Sequence, residues 1–329
     1  MTADDRPHPL LLAYRTLGLG DLLTAVPALR ALALAFPSHR RVLATQAWLQ
    51  PLVAWIPGRY QTLPAGELEM PVVAERPDVA VNLHGRGPES HRTLLRARPR
   101  RMIAFANEDV PWSGPRWNPR EHERIRWCRL LSASGIDGDP DRLEILSPEP
   151  YAPSRAERAV IVHPGASAGA RRWPEERWSA LAATLVAAGY RIVVTGAPGE
   201  RSLARGIGRA AGLRRPDVLA GSTDVADLAT LVASADAVVS GDTGVSHLAT
   251  ALGTPSVTLF GPTSPETWGP PPDRMIHRAI WHGRAGDPHG DEPSDSLLAI
   301  TVLEVLDAFH QVTSEPRLRL PGEPRDIPA

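Results

Sequence analysis

The run at residues 236–270, DAVVSGDTGVSHLATALGTPSVTLFGPTSPETWGP, constrains the fold more than any other stretch of the chain. It sets a short apolar strand, a turn of small and capping residues, a helix and a second buried strand in that order. DAVVS suits one strand of a parallel sheet, residues 241–244 form the turn, and 246–252 have helical character. A strand then resumes at 256–260, after Gly253 and Pro255. Such a turn gathers unpaired backbone N–H groups and the positive end of a helix at one spot, which suits a diphosphate.

The rest of the chain repeats the theme. The first half opens with an apolar strand at 10–14, the loop RTLGLGD and a helix-like stretch at 22–34. Further strands are expected at 41–44 and 78–83, the latter ending in the polar loop HGRGPES. A helix is expected at 121–134. The second half restarts with the strand AVIVH, the loop PGASAGARRWP, a helix at 175–188, the strand RIVVTG and the loop GAPGE. Alternating strand and helix signals imply parallel sheets, and two such beginnings imply two doubly wound domains. Pro140, Pro148, Pro150 and Pro153 mark the linker. The expected domains are 1–150 and 151–313, with a mobile tail over 314–329. The helical run 300–312 is expected to pack back on the first domain.

Composition removes several classes of function. The 329 residues leave room for two domains of about 150 residues each. A formal net charge of -1 gives no nucleic-acid footprint. Cys128 is the single cysteine, so neither an intramolecular disulfide nor a thiolate-rich metal site is available, and a reducing cytoplasm is expected. His277, His282 and His289 lack zinc-ligand spacing, so no metal is expected. No segment reaches the roughly 20 apolar residues of a membrane helix, which limits membrane contact to the periphery. All 36 basic residues are arginine.

Several side chains stand where open sheets bind ligands, beyond the carboxyl ends of strands. Asp21, after Gly20 in the GLGD loop, reads either as a helix cap or as an exposed general base. Ser167, Arg171 and Arg172 follow the second domain's first strand. Paired guanidinium groups there suit a diphosphate, although a solvated basic pair is the plainer alternative. Glu200 reads as a ribose-binding carboxylate or as a helix N-terminal carboxylate. Asp242 and Thr243 are capping candidates, and Thr243, Gly244 and Val245 can offer N–H groups to phosphate. His247, in the first helical turn, reads as packed or as part of the site. His84 and Arg86, in the HGRGPES loop, are candidates on the first domain.

The order GDLLTAVPALRAL, HPGASAGARRWPEERW, GAPGE and DTGVSHLATALGTPSVTLFGPTSPETWGP resembles the family 9 glycosyltransferases, the ADP-heptose:lipopolysaccharide heptosyltransferases and their relatives. The resemblance implies a GT-B α/β architecture, two Rossmann-like doubly wound domains facing a central cleft. It places the acceptor on the first domain, near Gly20, His84 and Arg86, and the donor on the second. It implies that Asp21 is the base and that Arg171 stands where the family has a lysine at the diphosphate. It assigns Glu200 to the ribose, and Asp242, Thr243 and Gly244 to the phosphates and donor sugar, with His247 nearby. The implied reaction is inverting and metal-independent, with no cofactor beyond an ADP-linked sugar co-substrate and with a glycan or lipid-linked glycan acceptor. It would run in the cytoplasm, at most peripherally on the inner face of the membrane. A nucleotide-sugar 2-epimerase and a non-catalytic sugar-nucleotide binding protein remain alternatives.

Overall fold

The computed structural model describes residues 8–69, 73–146, 156 and 158–314. The chain divides into two compact units between Ile145 and Leu146. The expected boundary after residue 150, the prolines Pro148, Pro150 and Pro153, and the tail from residue 315 lie outside the described residues.

In the first unit, β1 (Leu10–Tyr14), β2 (Arg40–Thr45), β3 (Gln61–Pro64), β4 (Val79–Asn82) and β5 (Arg101–Ile103) form one parallel sheet in the order β3-β2-β1-β4-β5. The central strand LLLAY is buried along its whole length, as a strand with both faces covered must be. The expected single helix at 22–34 is two helices, Leu19–Thr24 and Val26–Ala35, joined at Ala25. Pro27 explains the break. It is tolerated only in the first turn of a helix, where its missing N–H is not needed, so a new helix must begin just before it.

The second unit repeats the plan with β6 (Ala159–His163), β7 (Arg191–Val194), β8 (Ala237–Gly241), β9 (Ser256–Leu259) and β10 (His277–Ile280), ordered β10-β9-β8-β6-β7. Its core gathers Val160, Val162, Trp178, Leu181 and Val239. Contrary to expectation, the last helix, Val302–Ser314, adds its apolar face to this same core. Val305, Ala308, Phe309 and Val312 recur at helical spacing and are buried there. Burying Phe309 alone contributes about 2–3 kcal/mol, which fixes the helix on the second unit.

Both sheets turn on their first strand. Strand order runs outward from β1 to β2 and β3 on one side and to β4 and β5 on the other, and β6 stands in the same way between β7 and β8. Backbone connections leave in opposite directions at such a point and open a crevice beyond the strand ends. The switch points are therefore the β1/β4 and β6/β8 pairs.

Candidate functional site

In the second unit the strands of the switch point run in register, with His163 opposite Ser240. Gly241 ends β8, and a Cβ there would come within 3.2 Å of the Arg171 carbonyl oxygen, so glycine lets the two loops touch. The Arg171 guanidinium donates to the Asp242 carbonyl at 3.4 Å and to Ser167 Oγ. Thr243 is the N-cap of the helix Gly244–Leu252, yet its side chain makes no capping bond. Thr243 Oγ1 and Asp242 Oδ1 are instead buried without a hydrogen-bond partner. Buried polar atoms are normally paired, so an uncapped helix N-terminus beside two orphaned oxygens and a guanidinium is a set of groups arranged for an external ligand.

Burial raises the Asp242 carboxyl to about 6, against the opposing pull of the Arg171 charge and a hydrogen bond with Thr263. The sign follows from proton linkage. Between about pH 4 and 6 the unfolded chain releases this proton while the folded chain keeps it, so stability falls as pH rises through that window. The loss is about 3 kcal/mol at neutral pH for a shift of this size. Asp242→Asn is therefore expected to match the parent near pH 4 and to exceed it in stability at pH 7. Urea unfolding at the two pH values measures this, and an equal difference at both would contradict it.

The two adjacent arginines part company. Arg172 is exposed and turns its Nε to the Ala166 carbonyl at 2.9 Å, so only Arg171 reaches the turn after β8. Trp173 is buried against Trp178 and anchors the loop through its indole N–H to the Ile300 carbonyl. Glu200 closes the short turn after β7, where its Oε2 accepts the Ala197 N–H at 2.7 Å. Its carboxylate lies against Gly165, which any side chain would push into it. His163 pairs with Thr195 Oγ1 at 2.9 Å, and burial holds it below the usual histidine range. His247 meets Trp268 edge to face at 5.1 Å.

The first unit carries Asp21 at its own switch point. Gly18, not Asp21, is the N-cap of the helix Leu19–Thr24, so Asp21 caps nothing. Its carboxylate is held by Arg15, a residue that local sequence rules pass over. Arg15 stands one residue past β1 and is fully buried. Its Nη2 bonds Asp21 Oδ1 at 3.2 Å, Glu123 Oε1 at 3.2 Å and Thr24 Oγ1 at 3.3 Å. Its Nε and Nη1 donate to the carbonyls of Asp21 and Leu83, and the guanidinium lies 4.8 Å from the Trp127 ring. Glu123 also pairs with Arg126. Asp21 thus has one oxygen braced while its side chain stays 30% exposed.

His84 follows β4, and its main-chain N–H is held by Asn82. Its ring packs on Tyr14 at 5.3 Å, and its Nδ1 accepts the Thr16 N–H at 3.4 Å. Burial and the nearby Arg15 charge hold it down at about 4. The ring is therefore neutral near pH 7 and carries its proton on Nε2. Gly20 is buried in the first helical turn, and Arg86 is exposed. A cavity of about 500 Å³ lined by Arg205, Arg209 and Arg215 contains none of these residues. Among the described residues no group of three or more His, Cys, Asp or Glu is placed to hold a metal ion, and no helix is long and apolar enough to cross a membrane.

Two doubly wound parallel sheets of this kind define the GT-B class. The heptosyltransferase II of Escherichia coli superposes with a TM-score of 0.73 at 22% identity, over 93% of this chain and 98% of that one. The E. coli heptosyltransferase WaaC with ADP does so with 0.68 at 19% identity, over 92% and 99%. In sequence, residues 140–285 match the model of glycosyltransferase family 9 (heptosyltransferase). The lipooligosaccharide heptosyltransferase 2 of Haemophilus influenzae is 33% identical over 169 residues, 48% of this chain and 49% of that protein. The chain spans about half the length of the curated relatives it matches. It thus resembles family 9 in sequence across this stretch and in fold across nearly its whole length.

Proposed function

We propose that the chain is an inverting glycosyltransferase that moves a heptose-like sugar from a nucleoside diphosphate, ADP-heptose, to a hydroxyl of a glycan such as a lipopolysaccharide core. The observation that carries this is the turn after β8. Asp242 Oδ1 and Thr243 Oγ1 lie there without partners, beside an uncapped helix N-terminus and within reach of Arg171. Thr243 Oγ1, the free helix N–H groups and Arg171 are preorganised donors of the kind that act where charge develops, here on the departing diphosphate, while Asp242 Oδ1 is an acceptor for a hydroxyl of the donor sugar. Arginine in place of lysine keeps the charge and adds a planar fork that grips phosphate. Glu200 binds the ribose, and His247 lies beside the donor sugar.

On the first unit, the exposed Asp21 carboxylate takes the proton of the acceptor hydroxyl. The hydroxyl oxygen then bonds to the anomeric carbon as the bond from that carbon to the diphosphate oxygen breaks. The nucleoside diphosphate leaves with the electron pair, and the configuration inverts. In this reading the reaction runs in the cytoplasm, with at most peripheral contact at the membrane face. Calorimetric titration with ADP, UDP, GDP and dTDP tests the donor assignment. Preference for ADP is expected. Preference for UDP would favour the epimerase alternative or another donor, and no binding would remove the nucleotide-sugar assignment.

A further inference from the structure

We propose that Trp48 is a stacking platform for one sugar ring of the acceptor, held in place by Gln46 at the strand ends that also carry His84 and Asp21. The proposal rests on the glycosyltransferase assignment above and adds the residues that would select a saccharide.

Trp127, Trp173 and Trp178 are buried, whereas Trp48 is 50% exposed. It stands just past the carboxyl end of β2, next to the switch strand β1. An exposed indole ordinarily turns freely and leaves its N–H to water. This one donates its N–H to Gln46 Oε1 at 2.6 Å, and Gln46 Nε2 in turn donates to the Thr16 carbonyl at 3.3 Å. The ring is therefore tethered to the backbone just after β1 while half its surface faces solvent. Rigid aromatic surface of this sort binds at low entropic cost.

The tether continues to the base. Thr16 Oγ1 lies 3.2 Å from His84 Nδ1, and the preceding residue Leu83 accepts from Arg15, which also holds Asp21. Hydrogen bonds and the adjoining backbone thus connect Trp48, Gln46, Thr16, His84, Leu83, Arg15 and Asp21 across the ends of β1, β2 and β4. A pyranose offers an apolar C–H face and a rim of hydroxyls. The indole face fits the first. The neutral Nε2–H of His84 and the Asp21 carboxylate fit the second, with opposite hydrogen-bonding roles. A nucleobase would also stack on an indole, and a fall in ADP affinity on Trp48→Ala would reveal it.

The test uses the full chain, its Trp48→Ala and Trp48→Phe variants, and deacylated lipooligosaccharide truncated in its heptose region. Trp48→Ala is expected to raise the acceptor KM about tenfold, with kcat at saturating acceptor and the ADP Kd unchanged. Trp48→Phe should recover most of the loss. In direct titration without donor, the oligosaccharide should quench tryptophan fluorescence saturably in the parent and not in Trp48→Ala. An unchanged KM, a loss of ADP affinity instead, or no saturable oligosaccharide binding by the parent would each overturn the proposal. Failure of the transferase assignment shows separately, as oligosaccharide binding that depends on Trp48 without any sugar transfer.

Discussion

Asp21→Asn is expected to lower the rate of sugar transfer about a thousandfold while leaving ADP affinity and thermal stability close to those of the parent. General-base catalysis by a positioned carboxylate is worth roughly 10²–10⁴ in rate, and an amide has no comparable affinity for the acceptor proton. The substitution preserves the fold because an asparagine Oδ1 can still accept from Arg15, at the position of the carboxylate oxygen now 3.2 Å from Nη2. The backbone carbonyl of residue 21, which also accepts from Arg15, is untouched. Steady-state transfer from ADP-heptose, with calorimetric ADP binding beside it, measures both halves of the expectation. Unchanged turnover would remove Asp21 as the base, and no turnover by the parent itself would favour a binding protein.

Arg15→Met is expected to act in the opposite way, on stability more than on chemistry alone. The guanidinium has no exposure, and its donors serve two carboxylates, a hydroxyl and two main-chain carbonyls. Removing the guanidinium leaves the Asp21 and Leu83 carbonyls and the Asp21 carboxylate without it, while Glu123 keeps Arg126, and costs about 3 kcal/mol. For a unit of this size that is a fall in melting temperature on the order of 10 °C. Lysine should rescue little, since a single ammonium cannot reproduce the planar fork that reaches Leu83, Asp21 and Glu123 together. Chemical unfolding of the three proteins decides the matter, and a midpoint for Arg15→Met equal to the parent's would contradict it.

What the sequence made legible follows from where its signals come from. LLLAY and AVIVH are continuous apolar runs because β1 and β6 are covered on both faces, and both strands lie at the expected residues. Strands β3, β5 and β10 carry no such signal. QTLP, RMI and HRAI are short and partly polar edge strands, held by pairing to β2, β4 and β9. The helix Glu89–Arg96 begins inside the loop HGRGPES, where glycine and proline mask its start.

The candidate site was half legible for a different reason. Local capping rules offered Asp21, Asp242 and Thr243 as helix caps, and none of the three makes a side-chain capping bond. Where a local rule fails and a polar group is left buried or braced, function is the usual cause. Arg15 was missed because its partner Glu123 lies 108 residues away, a distance that no pattern of spacing reveals. The available signal was a charged residue directly after an apolar strand, a position where burial, when it occurs, demands a counter-charge. Residue chemistry alone did not separate the paired arginines; the resemblance singled out Arg171, and its contact with the turn after β8, which Arg172 lacks, sets it apart in the structure.

The central claim, that this chain transfers a sugar from a nucleoside diphosphate to a glycan, is tested most directly by supplying ADP-heptose labelled in the sugar together with truncated lipooligosaccharide. Label in the oligosaccharide, matched by release of one ADP per sugar, is the expected result. ADP release without label in the oligosaccharide, or no reaction at all, would contradict it.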